Sequence, residues 1–453
     1  MSDRAPVRVA HLGLGAFHRA HQAWYTQRAN ENKAETGDGP WGIESFTGRR
    51  PDLARALTAQ NDVYSLVVRG VDGDTVERIS SIVRATDGAD AERWREVLAD
   101  PRVGVLTLTI TEAGYLRGPD GELDWTDEAL SRDLASLADD DGTAMVTAVA
   151  RIVDGLRARR RAGGEPLAVV SCDNLPSNGD VTREVVLAVA SRIDSDLADW
   201  IATKVSFVSS MVDRITPSTT PDDVETVRRL TGIQDAVPVV TEPFTEWVLC
   251  GEFPAGRPAW EAGGARFVER LEPFEQRKLW LLNAAHSLLA YTGLARGWET
   301  IDEAIADPWC REGVERLWTE ARAVLDLPAD EVDDLLEALR RRFANDRIRH
   351  RLVQIAADGS QKLGPRVVEV QRRRLAIGIP IGEAGALTIA AWIVHLRDHP
   401  EQTADPGAQA LAASMPALSA AAQVQAALGL VAPDLVSALA GPVDRQLTQL
   451  DQD

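Results

Sequence analysis

Short runs of β-branched and other apolar residues alternate with helical patterns from the start of the chain to about Leu271. This alternation is typical of an α/β domain with a mostly parallel sheet. The predicted strands are Val7–Leu12, Trp41–Thr47, Val103–Ile110, Leu167–Cys172, Val205–Ser209 and Val237–Thr241. Between the second and the third of them, Val63–Val68 and Thr75–Val83 flank the turn Asp72-Gly73-Asp74, which predicts a β-hairpin inserted in the α/β core.

The pattern after Pro273 changes to longer segments in which apolar residues recur with a helical period. The predicted helices are Phe274–Tyr291, Glu299–Ile305, Arg311–Leu325, Glu331–Phe343, Arg366–Leu375 and Ala384–Leu396, followed by alanine-rich stretches. The longest apolar helical run, Ala384–Val394, is shorter than the ~20 residues that span a bilayer, so we expect no membrane segment.

The composition is that of a folded, acidic protein. The 453 residues include 49 basic and 69 acidic side chains, and the formal charge of −20 repels nucleic acid and anionic membrane surfaces. The three cysteines, Cys172, Cys250 and Cys310, form no CxxC pair, which favours a reduced compartment over a disulfide scaffold. Because the N-terminus shows no secretory pattern, we expect a cytoplasmic location. The expected partner is a small molecule, and the expected state is a monomer or weak homo-oligomer.

A glycine turn follows the first predicted strand. Gly13 and Gly15 are one residue apart, and a helical pattern begins at Ala16 and Phe17. Such a turn lets backbone N–H groups approach a pyrophosphate at a helix N-terminus. His18 replaces the third glycine of the GxGxxG pattern, so a glycine turn without a ligand stays an alternative. We predict an elaborated Rossmann-type dinucleotide-binding domain over residues 1–270 and a mostly α-helical domain over residues 271–453.

The choice between NAD and NADP stays open on these residues alone. A carboxylate after the second strand usually holds the adenosine ribose of NAD, but the segment Phe46-Thr47-Gly48-Arg49-Arg50 has none. Arg49 and Arg50 either pair with the 2′-phosphate of NADP or are solvated loop residues.

An unusual polar face marks the first predicted helix of the second domain. At ~100° per residue, Glu275, Lys278, Leu282 and His286 share one face, with Asn283 at its border. A stripe that mixes a carboxylate, an amine, an amide and an imidazole suits the wall of an interdomain cleft. The alternative is a partly solvated helix on which Glu275 and Lys278 form an ordinary ion pair.

Polar residues also stand where predicted strands end. Glu112 follows the third strand, Asn174 follows the fourth, and Asp213 follows the fifth. Loops at the carboxyl ends of parallel strands are where doubly wound sheets bind ligands. The alternatives are local, since Asn174 is also suited to capping a helix and Glu112 to a turn.

Seven segments of the chain resemble the polyol-specific long-chain dehydrogenases, a family of the mannitol 2-dehydrogenase and fructuronate reductase type. They are HLGLGAFHRAHQAWYT (11–26), TLTITEAGY (107–115), SCDN (171–174), MVDRITP (211–217), TEPFTEWV (241–248), KLWLLNAAHSLLAYTG (278–293) and DGSQKLGPR (358–366). The Lys-x4-Asn-x2-His spacing of the sixth segment is the family's specific mark, and the similarity runs in register from about residue 7 to 440. The family's GxGxFHRAH also lacks the third glycine.

The resemblance implies NAD(H) binding by the first domain, a catalytic site in the cleft against the helical domain, and no metal. Carried over by position, Lys278 is the general acid/base, Asn174 and Asn283 polarise the substrate oxygen, and His286 orients the substrate. These roles suit alcohol oxidation, which needs a base for the hydroxyl proton and donors for the alkoxide.

Three further positions follow from the resemblance. Asp213 matches a position near cofactor and substrate, while Glu112 and Glu275 match positions suggested for proton passage. The absent carboxylate after the second strand departs from the clearest NAD-specific members. NAD is therefore the expected cofactor, with NADP possible.

The substrate divides the family. The pair D-mannitol and D-fructose is favoured because it carries the family's commonest label. The alternative is D-fructuronate or another hexuronate, since the segments that contain Arg351 and Lys362 look more like the fructuronate reductase version, and clustered cations suit a carboxylate. These side chains are equally suited to holding the two domains together.

Two other classes compete with this interpretation. A zinc-dependent polyol dehydrogenase would take its ligands from the cysteines and histidines, but only His18 and His21 have a ligand-like spacing. A non-catalytic sugar or dinucleotide sensor would keep the glycine turn without needing Lys278 beside its asparagines and histidine.

Overall fold

The computed structural model describes residues 4–32, 39–48, 50–118, 120–400 and 404–452. The chain forms two compact units, Met1–Leu271 and Glu272–Asp453. The first is an α/β unit with a mostly parallel sheet, and the second consists largely of helices. The predicted fold class is confirmed. In the described ranges, no helix has both the length and the apolar character needed to cross a membrane.

The N-terminal unit is built on a large twisted sheet. The strands of the unit are β1 (Val7–Leu12), β2 (Gly42–Phe46), β3 (Tyr64–Gly70), β4 (Gly73–Ile79), β5 (Ile82–Thr86), β6 (Val105–Leu108), β7 (Leu167–Ser171), β8 (Val205–Asp213), β9 (Val239–Thr241), β10 (Glu246–Cys250) and β11 (Arg266–Phe267). Within the described residues the sheet order is β11-β10-β8-β7-β6-β1-β2-β5, and the strands from β8 to β5 are parallel. The order reverses between β1 and β6, which is where doubly wound sheets bind nucleotides.

Helices cover both faces of this sheet, as a parallel sheet requires. The helices of the unit are α1 (Ala16–Ala20), α2 (Gln22–Glu31), α3 (Asp52–Ala59), α4 (Ala91–Ala99), α5 (Glu128–Asp139), α6 (Ala148–Arg161), α7 (Asn178–Ile193), α8 (Ser195–Lys204) and α9 (Pro221–Thr231). Of these, α9 packs against β3 and β4 instead. Two separate clusters of buried apolar side chains result, one for each face of the sheet.

The predicted hairpin is present, but its placement in the α/β core was wrong. β3 and β4 pair antiparallel and form a separate sheet with β9, which we expected in the main sheet. The predicted strand Thr75–Val83 is broken at Ser80 and Ser81, and both residues bind α2. The Ser81 carbonyl already accepts from the Ile43 N–H of β2 (2.9 Å). The Ser80 N–H donates to Gln27 Oε1 (3.0 Å), and Ser81 Oγ donates to the Ala23 carbonyl (2.6 Å). The chain then continues as β5 at the edge of the main sheet.

The other difference lies at the opposite edge. β8 extends beyond the predicted end at Ser209 and pairs antiparallel with β10, which the sequence pattern did not predict. The longer β8 ends at Asp213, one of the predicted site residues.

The C-terminal unit is a packed set of helices. They are α10 (Glu272–Arg277), α11 (Ala284–Ala295), α12 (Ile301–Ala306), α13 (Pro308–Arg322), α14 (Ala329–Phe343), α15 (Leu352–Ile355), α16 (Gly359–Leu363), α17 (Glu369–Ala376), α18 (Glu383–Asp398), α19 (Gln409–Ser414), α20 (Ala420–Val431) and α21 (Val436–Leu450). α11 and α18 are buried on nearly all sides, which explains why the polar stripe of an amphipathic helix is missing from both.

The predicted continuous helix Phe274–Tyr291 was wrong in one respect. Between α10 and α11 the chain forms a π-helical turn, Lys278–Asn283, and a second π-helical turn, Gly364–Val368, lies between α16 and α17. Single π turns inside α-helices occur frequently at functional sites.

Candidate active site

In the turn after β1, Gly13 and Gly15 have different structural roles. Gly13 has φ of +110°, and a Cβ there would lie 2.0 Å from the Thr109 carbonyl oxygen, so the fold itself requires glycine. Gly15 has an ordinary φ of −143°, and the nearest atom to a Cβ would be 3.5 Å away. The fold therefore tolerates a side chain at Gly15, and its absence leaves room beside the N–H groups of Ala16 and Phe17. This open cradle at the start of α1 fits a pyrophosphate.

His18 takes over the packing role of the missing third glycine. Its ring stacks on that of His11, with centroids 3.3 Å apart and planes inclined by 7°. His18 Nε2 lies 2.9 Å from Ser45 Oγ, and His11 Nδ1 lies 2.8 Å from Thr107 Oγ1. Burial lowers the pKa of His11 to about 3 and that of His18 well below its usual value, so both rings are neutral. The stacked rings of His18 and His11 thus form the contact between α1 and β1. In the GxGxxG pattern a glycine at this position allows the helix and strand to approach closely.

Arg19 supports the turn from behind and was not among the predicted site residues. This buried side chain donates from Nε to the Gly15 carbonyl (3.3 Å) and from a terminal nitrogen to the Val237 carbonyl. It therefore fixes the second glycine of the turn. The signal was present in the sequence as the arginine of the HRAH segment.

The end of β2 offers no carboxylate to an adenosine ribose. Glu44, on β2 itself, is fully buried and accepts from Arg93 Nε and NH2 (2.8 and 2.6 Å) and from Thr86 Oγ1 (2.9 Å). Beyond the strand, Arg50 is exposed. Arg49 lies outside the described residues.

The predicted polar residues of the N-terminal unit gather at one edge of the sheet. Glu112 opens a 3-10 turn that follows β6, Asn174 follows β7, and Asp213 ends β8. Since β8, β7, β6 and β1 are adjacent and parallel, these three residues and the glycine turn share the carboxyl edge. Glu112 and Asn174 are exposed, and Asp213 is buried opposite Glu246 of β10.

Asn174 does not cap a helix, so that alternative was wrong. α7 begins four residues later, at Asn178, and its N-cap position is Ser177. Asn178 ties this loop to β8, since its Nδ2 donates to the carbonyls of Asp173 (2.9 Å) and Ser210 (2.7 Å).

Asp173, beside Asn174, is a buried carboxylate that sequence reasoning missed. It accepts from the N–H groups of Ile110 (Oδ2, 3.1 Å) and Thr111 (Oδ1, 2.8 Å) and from the Tyr115 hydroxyl (Oδ2, 2.8 Å). Burial raises the pKa of Asp173, and these three hydrogen bonds oppose the rise. The carboxylate thus joins the loop after β7 to the segment after β6.

In the C-terminal unit, the π turn Lys278–Asn283 changes which residues share a helix face. Hydrogen bonds in a π turn run from residue i to i+5, so Lys278 and Asn283 stand at the two ends of one turn. In a regular α-helix residues five positions apart are separated by about 140°, which is why Asn283 was predicted only at the border. Lys278, Asn283 and Glu275 are half-buried, whereas Leu282 belongs to the packed interior.

Contacts with the second π turn fix the backbone around Asn283. Trp280 Nε1 donates to the Pro365 carbonyl (3.2 Å). Arg366 donates to the Asn283 carbonyl (3.3 Å) and to Ser287 Oγ (3.1 Å). Arg366 was not among the predicted site residues, although it ends one of the family-like segments.

His286 lies one helical turn after the π turn, in α11, and is buried. Its ring centroid is 5.0 Å from that of Phe343 and 5.1 Å from that of His350. Burial is the main cause that lowers the pKa of His286 well below its usual value, and the positive charges of Arg342 and Arg366 add to it. Burial lowers the pKa of His350 as well. The His286 imidazole is therefore neutral.

The two predicted carboxylate-binding cations, Arg351 and Lys362, lie in different surroundings. Arg351 is exposed, precedes α15, and its backbone pairs with Thr300. Lys362 Nζ donates to the Ala357 carbonyl (2.7 Å) and lies 3.8 Å from Asp358 Oδ2. Across the part of the chain that the structure describes, no three His, Cys, Asp or Glu side chains are grouped so that they would hold a metal ion.

Comparison with known proteins matches both units. A family model described as the mannitol dehydrogenase Rossmann domain matches residues 7–262, and one described as the mannitol dehydrogenase C-terminal domain matches residues 270–445. D-mannonate oxidoreductase of Escherichia coli K12 is 36% identical over 410 residues, which cover 88% of this chain and 82% of that protein. Mannitol 2-dehydrogenase of Cereibacter sphaeroides is 35% identical over 382 residues, covering 83% and 78%.

Two solved structures are similar over almost the whole chain. Substrate-free D-sorbitol dehydrogenase aligns with a TM-score of 0.86 at 29% identity, covering 99% of this chain and 94% of that one. The ternary complex of Pseudomonas fluorescens mannitol 2-dehydrogenase with NAD and D-mannitol aligns with a TM-score of 0.77 at 32% identity, covering 99% and 92%. The resemblance first noted in seven sequence segments is confirmed, and the chain belongs to the mannitol dehydrogenase family of oxidoreductases.

Proposed function

We propose that this protein is an NAD(H)-dependent dehydrogenase that interconverts a secondary alcohol of a polyol and the corresponding ketose, with D-mannitol and D-fructose as the substrate pair. The observation that carries the proposal is the π turn, which has Lys278 and Asn283 at its ends and His286 one turn further on. An amine, an amide and a neutral imidazole supply acid/base chemistry and hydrogen bonds to a hydroxyl or carbonyl oxygen.

The glycine turn is the proposed holder of the cofactor. The open cradle beside Gly15 supports a pyrophosphate held by the N–H groups of Ala16 and Phe17, with Gly13 shaping the turn. Asp213, at the same sheet edge, is the proposed contact nearest the reacting end. A dinucleotide bound there would supply the hydride acceptor for alcohol oxidation and the hydride donor for ketone reduction.

The remaining side chains handle the proton and the oxygen. Lys278 accepts the hydroxyl proton in oxidation and returns it in reduction. Asn174 and Asn283 donate hydrogen bonds to the oxygen that becomes negative, and His286 orients the substrate. Glu112 and Glu275 are proposed to pass the proton to solvent. Amine and amide donors replace a Lewis acid in this scheme, so the reaction needs no metal.

A second substrate class is favoured by one observation. The positive charges of Arg342 and Arg366 act on His286, and cations beside a substrate site attract a carboxylate. A hexonate such as D-mannonate, whose oxidation gives a ketouronate such as D-fructuronate, supplies that carboxylate. The relative named D-mannonate oxidoreductase agrees with this alternative. Arg351 and Lys362 stay the proposed binders of the carboxylate.

The two substrate classes separate in one assay. Initial rates of NADH oxidation are measured with D-fructose and with D-fructuronate, in buffer containing excess EDTA. We expect D-fructose to be reduced with the higher kcat/KM, and activity in EDTA to support metal independence. The reverse order favours the hexonate. Failure to reduce either ketone contradicts the proposed function, and activity that returns only on adding zinc contradicts the metal-free chemistry.

A further inference from the structure

The segment after β6 contains a strained residue next to a proposed site residue. Thr111 has φ of +66° and ψ of +161°, in a region that only glycine enters freely. The Cβ that every residue except glycine carries makes this conformation costly, and the branched side chain of threonine adds to the cost. Glu112 is the next residue. Such strain persists only where surrounding contacts enforce it.

The contacts that enforce it come from Asp173. One carboxylate oxygen accepts from the Thr111 N–H (2.8 Å), and the other accepts from the Ile110 N–H (3.1 Å) and the Tyr115 hydroxyl (2.8 Å). Asp173 and Tyr115 are both buried. The N–H groups of Ile110 and Thr111 thus bind the two oxygens of one carboxylate. These two hydrogen bonds hold the backbone at Thr111 in its conformation.

We infer that Asp173 is a positioning residue that holds Thr111 in its strained conformation and thereby fixes Glu112 and Asn174 at the carboxyl edge of the sheet. Glu112 directly follows Thr111, and Asn174 directly follows Asp173. The hydrogen bonds of the Asp173 carboxylate therefore fix the backbone next to both residues. This assignment rests on the proposed function, in which Asn174 binds the substrate oxygen and Glu112 passes a proton. Asp173 itself exchanges no proton with the substrate.

The inference predicts a specific rescue. Asp173→Asn replaces one accepting oxygen by an N–H₂ group that cannot accept from a backbone N–H. We expect kcat to fall roughly 10- to 100-fold, because small misplacements of reacting groups have effects of this size. The Kd of NADH, measured by fluorescence titration, should stay unchanged because the glycine turn is untouched. Thr111→Gly in the same background should restore most of kcat, since glycine adopts the conformation without support.

Thr111→Ala is the matched control. It removes the same side chain but keeps a Cβ, so it should not rescue Asp173→Asn. Rescue by glycine and not by alanine is expected of a positioning role. If neither substitution restores kcat, Asp173 takes part in the chemistry and the inference is wrong. An Asp173→Asn variant with wild-type kcat also overturns it.

Two further measurements keep the test decisive. If Asp173→Asn does not fold, Tyr115→Phe removes one donor to the carboxylate, and its smaller loss of kcat should also be suppressed by Thr111→Gly. A Tyr115→Phe variant that keeps full kcat contradicts the inference. Independently of activity, Thr111→Gly should have a higher Tm than Thr111→Ala, the reverse of the usual order. This comparison still tests the strained turn if the wild-type chain proves inactive, so the two failures are distinguishable.

Discussion

Replacing Lys278 by alanine is expected to lower kcat at least ~100-fold, the low end for the loss of a general acid/base. Lys278 begins the π turn whose other end is Asn283, and no other side chain of this turn carries an ionisable group. The Kd of NADH should change little, because the proposed cofactor cradle belongs to the glycine turn. Stopped-flow or steady-state rates with saturating ketone, together with NADH fluorescence titration, check both expectations.

The chain provides a matched control for this substitution. Lys204, the last residue of α8, is exposed and outside the proposed site, so Lys204→Ala should keep full activity. Lys278→Arg retains a positive charge but cannot act as a base, because a guanidinium stays protonated, and it should be as defective as the alanine variant. Near wild-type kcat in Lys278→Ala would remove the lysine from the mechanism.

Replacing Arg50 by glutamate is expected to lower kcat/KM with NADP about 100-fold, or ~2.7 kcal/mol, while kcat/KM with NAD changes little. Arg50 is exposed just beyond β2, where a dinucleotide fold places the adenosine ribose. The one carboxylate of β2, Glu44, is already bound to Arg93 and Thr86. Since residues 46–50 include no acid that would repel a 2′-phosphate, the unmodified chain should accept NADP with less than ~100-fold preference for NAD.

Arg55→Glu is the control for this prediction. Arg55 is exposed on α3, five positions further along the chain, so the same charge change there should leave the cofactor ratio nearly constant. Undetectable turnover with NADP in the unmodified chain, or an unchanged ratio in Arg50→Glu, would mean that Arg50 does not face the ribose.

The parallel sheet was predictable because its strands carry a local signal. Each is a short apolar run, and the alternation with helices sets their parallel arrangement. The break between β4 and β5 was not predicted, since apolar residues stand on both sides of Ser80 and Ser81. The two serines form hydrogen bonds to α2, which is distant in the chain.

The candidate site was predictable in its residue types and less so in its geometry. Lys278, Asn283 and His286 were found from their spacing, but periodicity assumes an α-helix and therefore missed the π turn. That turn packs against another π turn through Trp280 and Arg366, a contact between distant segments.

Asp173 was missed for a related reason. Its partners are backbone N–H groups more than 60 residues away, and a backbone donor leaves no mark in the sequence. Arg19 likewise binds a backbone group, the Gly15 carbonyl four residues before it. Cytoplasmic location and a monomeric or weakly oligomeric state stay predictions.

The most direct test of the central claim follows the reacting hydrogen. The protein is incubated with D-fructose or D-fructuronate and NADH deuterated at both C4 positions of the nicotinamide, and the product is analysed by mass spectrometry. The account predicts a single deuterium on the new alcohol carbon, with product formation nearly abolished in Lys278→Ala. Product without deuterium, or no product from either ketone, would contradict it.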